Sequence, residues 1–176
     1  MKIGLLLFEL TASGGEQRQI LRLAQGLGRL GHAVSVYAYR YSPGNCFPEL
    51  AAGLDVRALH VLEEAQLPAV RRHAAGMLGV AARRYFLESR LLARSVGEAD
   101  VLNAHGRPAH RAAVFAKQNR GVPAVWSCND LVGWEQAGHR PRVAPSIHRA
   151  IARAMKPWEQ RIVRQMDSIA VLTGAM

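Results

Sequence analysis

Four short stretches carry residue types that handle anions or hydroxyl groups, and each follows a short apolar run: Gly14-Gly15, His105-Gly106-Arg107, Asn129-Asp130 and Thr173-Gly174. A glycine pair lets backbone approach an anion closely. If a helix starts there, its free amides and positive end hold a phosphate without any side chain. The same two glycines also serve as a plain turn and helix cap. His105 can donate a hydrogen bond to a sugar hydroxyl or a phosphate, or act as acid or base near neutral pH; alternatively it is a loop histidine satisfied by backbone. Asp130 can orient a hydroxyl or cap the following turn. Ser127 and Cys128 lack a nucleophile elbow and an adjacent base, which speaks against nucleophilic catalysis. The seven histidines form no H-x-x-x-H pair and have no matching carboxylate set, so neither a metal site nor a cofactor is predicted.

These stretches have to be positioned by the elements between them. Lys2 to Phe8 is an apolar, unalternating run, as in a parallel strand covered on both faces. Ser13 and Glu16 have capping-box spacing, and Ile20, Leu23, Ala24, Leu27 and Leu30 recur with helical period up to a stop at Gly31. Val34, Val36 and Ala38 resume a strand, residues 41–48 form a loop, and residues 54–59 alternate like a strand near a sheet edge. From 68 to 96 the pattern is helical, with Phe86, Leu91 and Leu92 on an apolar side and Arg71, Arg72, Arg83, Arg84, Arg90 and Arg94 on a basic one. A strand over 100–105, a helix over 109–119, a strand from 123, a helix over 146–166 kinked at Pro157 and a strand over 167–173 complete the chain. This alternation predicts an α/β fold, a doubly wound, mostly parallel sheet with helices on both faces. In such sheets ligands bind beyond the carboxyl ends of the strands, where the four stretches fall.

The formal charge of +10 in 176 residues comes almost wholly from arginine, since Lys2, Lys117 and Lys156 are the only lysines. That excess favours anionic partners. Nucleic acid is not expected, for want of a recognition helix, zinc finger or aromatic RNA-binding strand pair. A dinucleotide-dependent oxidoreductase is demoted, because the glycine spacing is not G-x-G-x-x-G and the second strand ends in Tyr37-Ala38-Tyr39-Arg40 without an acidic ribose ligand. Cys46 and Cys128 read as reduced thiols of a cytoplasmic protein. The first apolar run, cut by Glu9, has no cleavage site after it, and no run reaches the ~18 apolar residues of a membrane span. The six arginines over 71–94 are either a solvated face or the basic side of an interfacial helix on an anionic membrane surface, which would place the protein on the inner face of the membrane.

With the stretches placed, the chain resembles the amino-terminal, Rossmann-like half of a retaining glycosyltransferase of family 4, with GT-B architecture. The resemblance rests on Lys2-Ile3-Gly4 leading to Gly14-Gly15, on Leu27-Gly28-Arg29-Leu30-Gly31-His32-Ala33-Val34-Ser35-Val36, on Asp100 to Gly106, on Gly121-Val122-Pro123, and on Glu159 with Met166 to Thr173. It covers essentially the whole chain. Relatives often carry Glu where Gln17 stands and His-Asp where Asn129-Asp130 stand; asparagine hydrogen-bonds a sugar but relays no proton. The resemblance implies transfer of a sugar from a nucleotide diphosphate sugar to a lipid or saccharide acceptor, without metal. Residues 1–176 would be the acceptor-side domain, and a carboxyl-terminal nucleotide-sugar domain, absent here, would complete the cleft. On that basis the expected roles are His105 and Asp130 for catalysis, and Gly14, Gly15, Asn129, Arg107 and Arg111 for substrate binding. The isolated chain would be inactive. The alternative is a noncatalytic basic α/β module that binds anionic membranes or a protein partner.

Overall fold

The computed structural model describes residues 1–63, 84–128 and 156–171. Six strands form one sheet in the order β3-β2-β1-β4-β5-β6, and every pairing is parallel. The strands are β1 (Lys2–Leu10), β2 (Ala33–Tyr41), β3 (Asp55–Val61), β4 (Val101–His105), β5 (Ala124–Cys128) and β6 (Ser168–Val171). Between them lie α1 (Gly15–Arg29), a short α2 (Pro48–Ala51), α3 (Ser89–Ser95) entered through a π-turn at Arg84–Glu88, and α4 (Arg107–Arg120). Residues 156–163 form α5. The doubly wound fold is thus as predicted, and wholly parallel in the described strands. The chain runs outward from β1 to β3, then returns to the other side of β1 and runs outward again. The strand order therefore reverses between β1 and β4.

Strand alternation divides the core in two. Ile3, Leu5 and Leu7 of β1 pack with Val36 and Ala38 of β2 against Ile20, Leu21 and Ala24 of α1. Leu6 and Phe8 face the opposite way, with Tyr37, Tyr39 and Leu102, onto Leu92, Ala93 and Ala109, Ala112, Ala113 and Ala116. The alanines, spaced i, i+3, i+4, i+7, give α4 a flat face that lies close on the sheet. Close approach matters also at Gly4, where a Cβ would sit 2.7 Å from Leu102 Cδ2. Asp167 anchors the last strand. Its carboxylate accepts from Lys117 Nζ at 2.7 Å and from the Ala124 amide at 2.8 Å, tying α4 to β5.

Two local expectations change. The amino end of α1 is not a capping box: Gly14 is the N-cap and no side chain caps the helix. Ser13 Oγ instead donates to the Asn45 carbonyl at 3.0 Å, across to the loop after β2. The second change concerns the basic helix. Of its arginines, Arg71, Arg72 and Arg83 lie outside the described residues, as does the side chain of Arg84. In the described part, Leu92 and Ala93 are buried, but Phe86 and Leu91 share the outward face with Arg90 and Arg94. Apolar and basic residues are therefore not on opposite sides.

Candidate functional site

The carboxyl ends of β1 and β4, adjacent in the sheet, bring two of the predicted stretches together. Gly14 and Gly15 open α1, and Gly106 is the N-cap of α4. The two turns touch through Glu16. A Cβ built on Gly106 would lie 2.7 Å from Glu16 Oε1, so the carboxylate of α1 occupies the space that the glycine leaves. Gly106 has φ 73 and ψ 164, a conformation essentially confined to glycine. Two helix amino ends thus meet at the reversal of strand order, where backbone amides and helix dipoles favour negative charge.

This interlock predicts a measurable cost. Gly106→Ala is expected to lower the melting temperature by roughly 5 °C, from the ~1–3 kcal/mol of such backbone strain at ~2–4 °C per kcal/mol for a chain of this size. Glu16→Ala in the same background should recover little, because a flexible carboxylate swings aside and the backbone does not. Full recovery in thermal unfolding would show that the carboxylate contact, not the backbone, sets the cost.

His105 ends β4 with its ring 1% exposed. Burial pushes its pKa down from 6.5 to about 4, so the imidazole is neutral at neutral pH. Neither ring nitrogen has a hydrogen-bond partner among the described residues. Such an orphaned pair is uncommon in folded proteins. Arg107 takes the first helical position of α4, and its side chain lies outside the described residues. Arg111, one turn on, is buried, and its Nη2 lies 3.5 Å from Glu159 Oε1 on α5. Burial pushes this guanidinium down to about 9 while Glu159 pulls it up, so it stays cationic at neutral pH with its charge directed at α5. Asn129, Asp130, Thr173 and Gly174 lie outside the described residues.

Around the same rim the structure adds residues that sequence reasoning did not single out. Glu9 and Arg40 are register partners on β1 and β2, with Arg40 Nη1 3.0 Å from Glu9 Oε1, and Arg40 Nη2 also lies 4.0 Å from the buried Glu88 of the π-turn. Gln17 Nε2 donates to the Glu9 carbonyl at 3.0 Å, which gives this departure from the family pattern a structural task. Opposite charges closing two neighbouring apolar runs, Glu9 and Arg40, were the available signal. Behind α4, His110 stacks on Trp126 with centroids 4.8 Å apart.

A cavity of about 800 Å³ opens at the opposite rim beside Lys2, Glu98, Asp100 and Arg120. There Lys2 is paired with Glu98 at 2.6 Å, and the amino ends of parallel strands are not where such sheets bind ligands. The carboxyl rim is the better candidate. Both cysteines are buried and neither is in a disulfide, and burial holds the Cys46 thiol up at about 11, too high for thiolate chemistry. No cluster of three or more metal-ligating side chains occurs among the described residues. Nor is any described helix long and apolar enough to cross a membrane.

Among solved structures the first of three likenesses supports the same architecture. A Listeria monocytogenes protein provisionally assigned as a UDP-N-acetylglucosamine 2-epimerase matches 96% of this chain at 11% identity and a TM-score of 0.50, over 37% of its own length. The glycotransferase of kitacinnamycin matches 92% of the chain at 16% identity and a TM-score of 0.45, over 40% of its length. A Neisseria meningitidis UDP-GlcNAc 2-epimerase, solved with UDP-GlcNAc bound, matches 97% at 11% identity and a TM-score of 0.45, over 46% of its length. The chain thus spans less than half of each of these neighbours. No curated protein sequence matches it significantly. The family is nonetheless decided by sequence: residues 14–176 match the glycosyl transferase 4-like domain, running from the glycine pair through every strand after β1, and the chain belongs to that family.

Proposed function

We propose that the intact protein transfers a sugar from a nucleoside diphosphate sugar to a lipid or saccharide acceptor, with retention of anomeric configuration, and that residues 1–176 form the acceptor side of a two-domain cleft. The observation that carries this reading is the meeting of the turn after β1 with the turn after β4, through Glu16 against Gly106 at the β1/β4 reversal, in a chain of the glycosyl transferase 4-like family. The amides at the start of α1 would hold the donor diphosphate as charge develops on the leaving group, a preorganised electrostatic stabilisation. His105, neutral and without a hydrogen-bond partner among the described residues, would offer a hydrogen bond to a donor hydroxyl or phosphate once substrate and the second domain close on the rim. Asn129 and Asp130 follow β5, next to β4, and would position donor or acceptor hydroxyls. Arg107 would add an anion contact. Arg111, held by Glu159, serves α4 rather than the donor. The reading invokes no metal and no cofactor. The reaction is set in the cytoplasm, in keeping with two buried cysteines that form no disulfide. Residues 1–176 by themselves, as one side of that cleft, would be inactive.

The test is turnover of a panel of nucleotide sugars by the full-length protein with lipid and saccharide acceptors. Acceptor-dependent release of nucleoside diphosphate is expected. His105→Ala should lower kcat roughly tenfold, the worth of a ~1.4 kcal/mol hydrogen bond in the transition state. Unchanged turnover would remove His105 from the site, and no turnover of any donor would overturn the reading.

A further inference from the structure

A second opening lies on the flank of α4, where that helix meets α5 and the π-turn. It is a cleft of about 300 Å³, at the lower end of the sizes that hold small ligands. Its walls are aromatic. Phe86 of the π-turn and Trp158 of α5 meet at right angles, with ring centroids 5.7 Å apart, and Phe115 of α4 supplies a third ring. Phe86 and Trp158 are 44% and 56% exposed, so the corner they form is open to an incoming molecule.

The charged groups that line this cleft are all cations. Arg90 lies over the Phe115 ring at 5.3 Å, and Arg161 stands exposed one turn beyond Trp158 on α5. Neither forms an ion pair among the described residues. Arg111, its side chain 2% exposed, closes the inner end of the cleft. Its Nη2 stands 3.5 Å from Glu159 Oε1, longer than the ~2.7–2.9 Å of a tight charge-assisted pair. Among the described residues no carboxylate lines the cleft, since Glu159 reaches Arg111 without contributing to the wall.

Rings and cations together narrow the ligand. An uncharged apolar molecule would set a buried guanidinium against hydrocarbon, which is costly. A bare inorganic anion would leave the rings without a partner. A planar ring that carries a negative group satisfies both, because it stacks on one wall and meets the other edge-on while guanidinium forks take its anionic oxygens.

We propose that this cleft binds a small aromatic anion, an aryl carboxylate or aryl phosphate, with the ring in the corner of Phe86 and Trp158 and the anionic oxygens on Arg111 and Arg161. Arg90, held on Phe115, flanks the ring. The site is independent of the sugar-transfer reading, since it uses neither glycine turn nor His105.

The experiment is titration of the full-length protein with benzoate and with phenyl phosphate, followed by calorimetry and by the indole N–H resonance of Trp158, which Trp158→Phe assigns. Saturable binding with a Kd below about 1 mM is expected for at least one of the two, and the tighter one identifies the anionic group. Benzamide, the same ring without the charge, and acetate, the charge without the ring, should each bind at least roughly tenfold more weakly. Arg161→Gln, at an exposed position that the fold does not depend on, should weaken the anion roughly tenfold, and Arg111→Met at least as much. Phe86→Ala should weaken benzoate and leave acetate unchanged. Benzamide binding as tightly as benzoate, or both arginine variants binding like the wild type, would overturn the proposal. So would absence of saturable binding of either probe up to about 10 mM, or shifts at Gly14 and Gly106 without one at Trp158, which would place the anion at the other site.

Discussion

Glu159→Ala is expected to cost about 3–5 kcal/mol of stability, the penalty for leaving a buried charge without its counter-ion. Arg111 is fully buried within α4, while Glu159 on α5 is the more exposed partner. Removing the carboxylate takes the counter-ion on α5 from a buried guanidinium whose pKa, about 9, keeps it charged at neutral pH. Removing the arginine leaves a carboxylate close to water. The two substitutions should therefore be unequal: Arg111→Met, which fills much of the same volume, is expected to cost less than half as much as Glu159→Ala. Urea denaturation of both variants and of the double variant measures the asymmetry. Equal costs would mean that the buried charge of Arg111 does not depend on Glu159 more than Glu159 depends on Arg111. The pair also bears on function, because it presses α5 on α4 and so helps hold the helix whose amino end faces Glu16.

Acidification should destabilise the fold through His105. The ring is neutral in the folded chain down to about pH 4, whereas in the unfolded chain it takes up a proton near its ordinary 6.5. Between those values the unfolded state binds more protons, so stability rises with pH and falls as pH drops through this window. Integrated over the shift, the loss is about 3 kcal/mol. Denaturation of His105→Gln across the same range should show that loss removed, the glutamine carrying no titrating group. The carboxylates of Asp55 and Asp167, held low by Arg57 and by Lys117, contribute their own losses only at lower pH and are common to both proteins. A wild-type curve parallel to that of the variant between pH 6.5 and 4 would show that the ring is not kept neutral by the fold.

The fold was legible because its signals are local and mutually consistent. Unalternating apolar runs, helical periodicity and Gly31, at φ 83 beyond α1, each specify an element without reference to the rest of the chain. Boundaries followed to within a few residues, as at α4, read over 109–119 and found at Arg107–Arg120. What failed was contact information. Ser13 and Glu16 have capping-box spacing, yet Ser13 is drawn to the Asn45 carbonyl and Glu16 to Gly106, partners about thirty and ninety positions away in sequence. The basic helix was misread for a similar reason: periodicity gives a stripe but does not say which stripe faces the sheet, and the core took Leu92 and Ala93 rather than Phe86 and Leu91. At the candidate site, strand ends pointed to two turns that the fold brings together, those after β1 and β4. The burial of His105 and the engagement of Arg111 by Glu159 depend on neighbours that spacing does not reveal.

The most direct test of the site is amide chemical-shift mapping on the full-length protein titrated with uridine, guanosine, adenosine and thymidine diphosphates. The account predicts that one of them shifts the amides of Gly14, Gly15 and Gly106 together, with a common apparent Kd, and leaves Lys2, Glu98 and Asp100 at the opposite rim unmoved. Shifts confined to that opposite rim, or to only one of the two glycine turns, would contradict it.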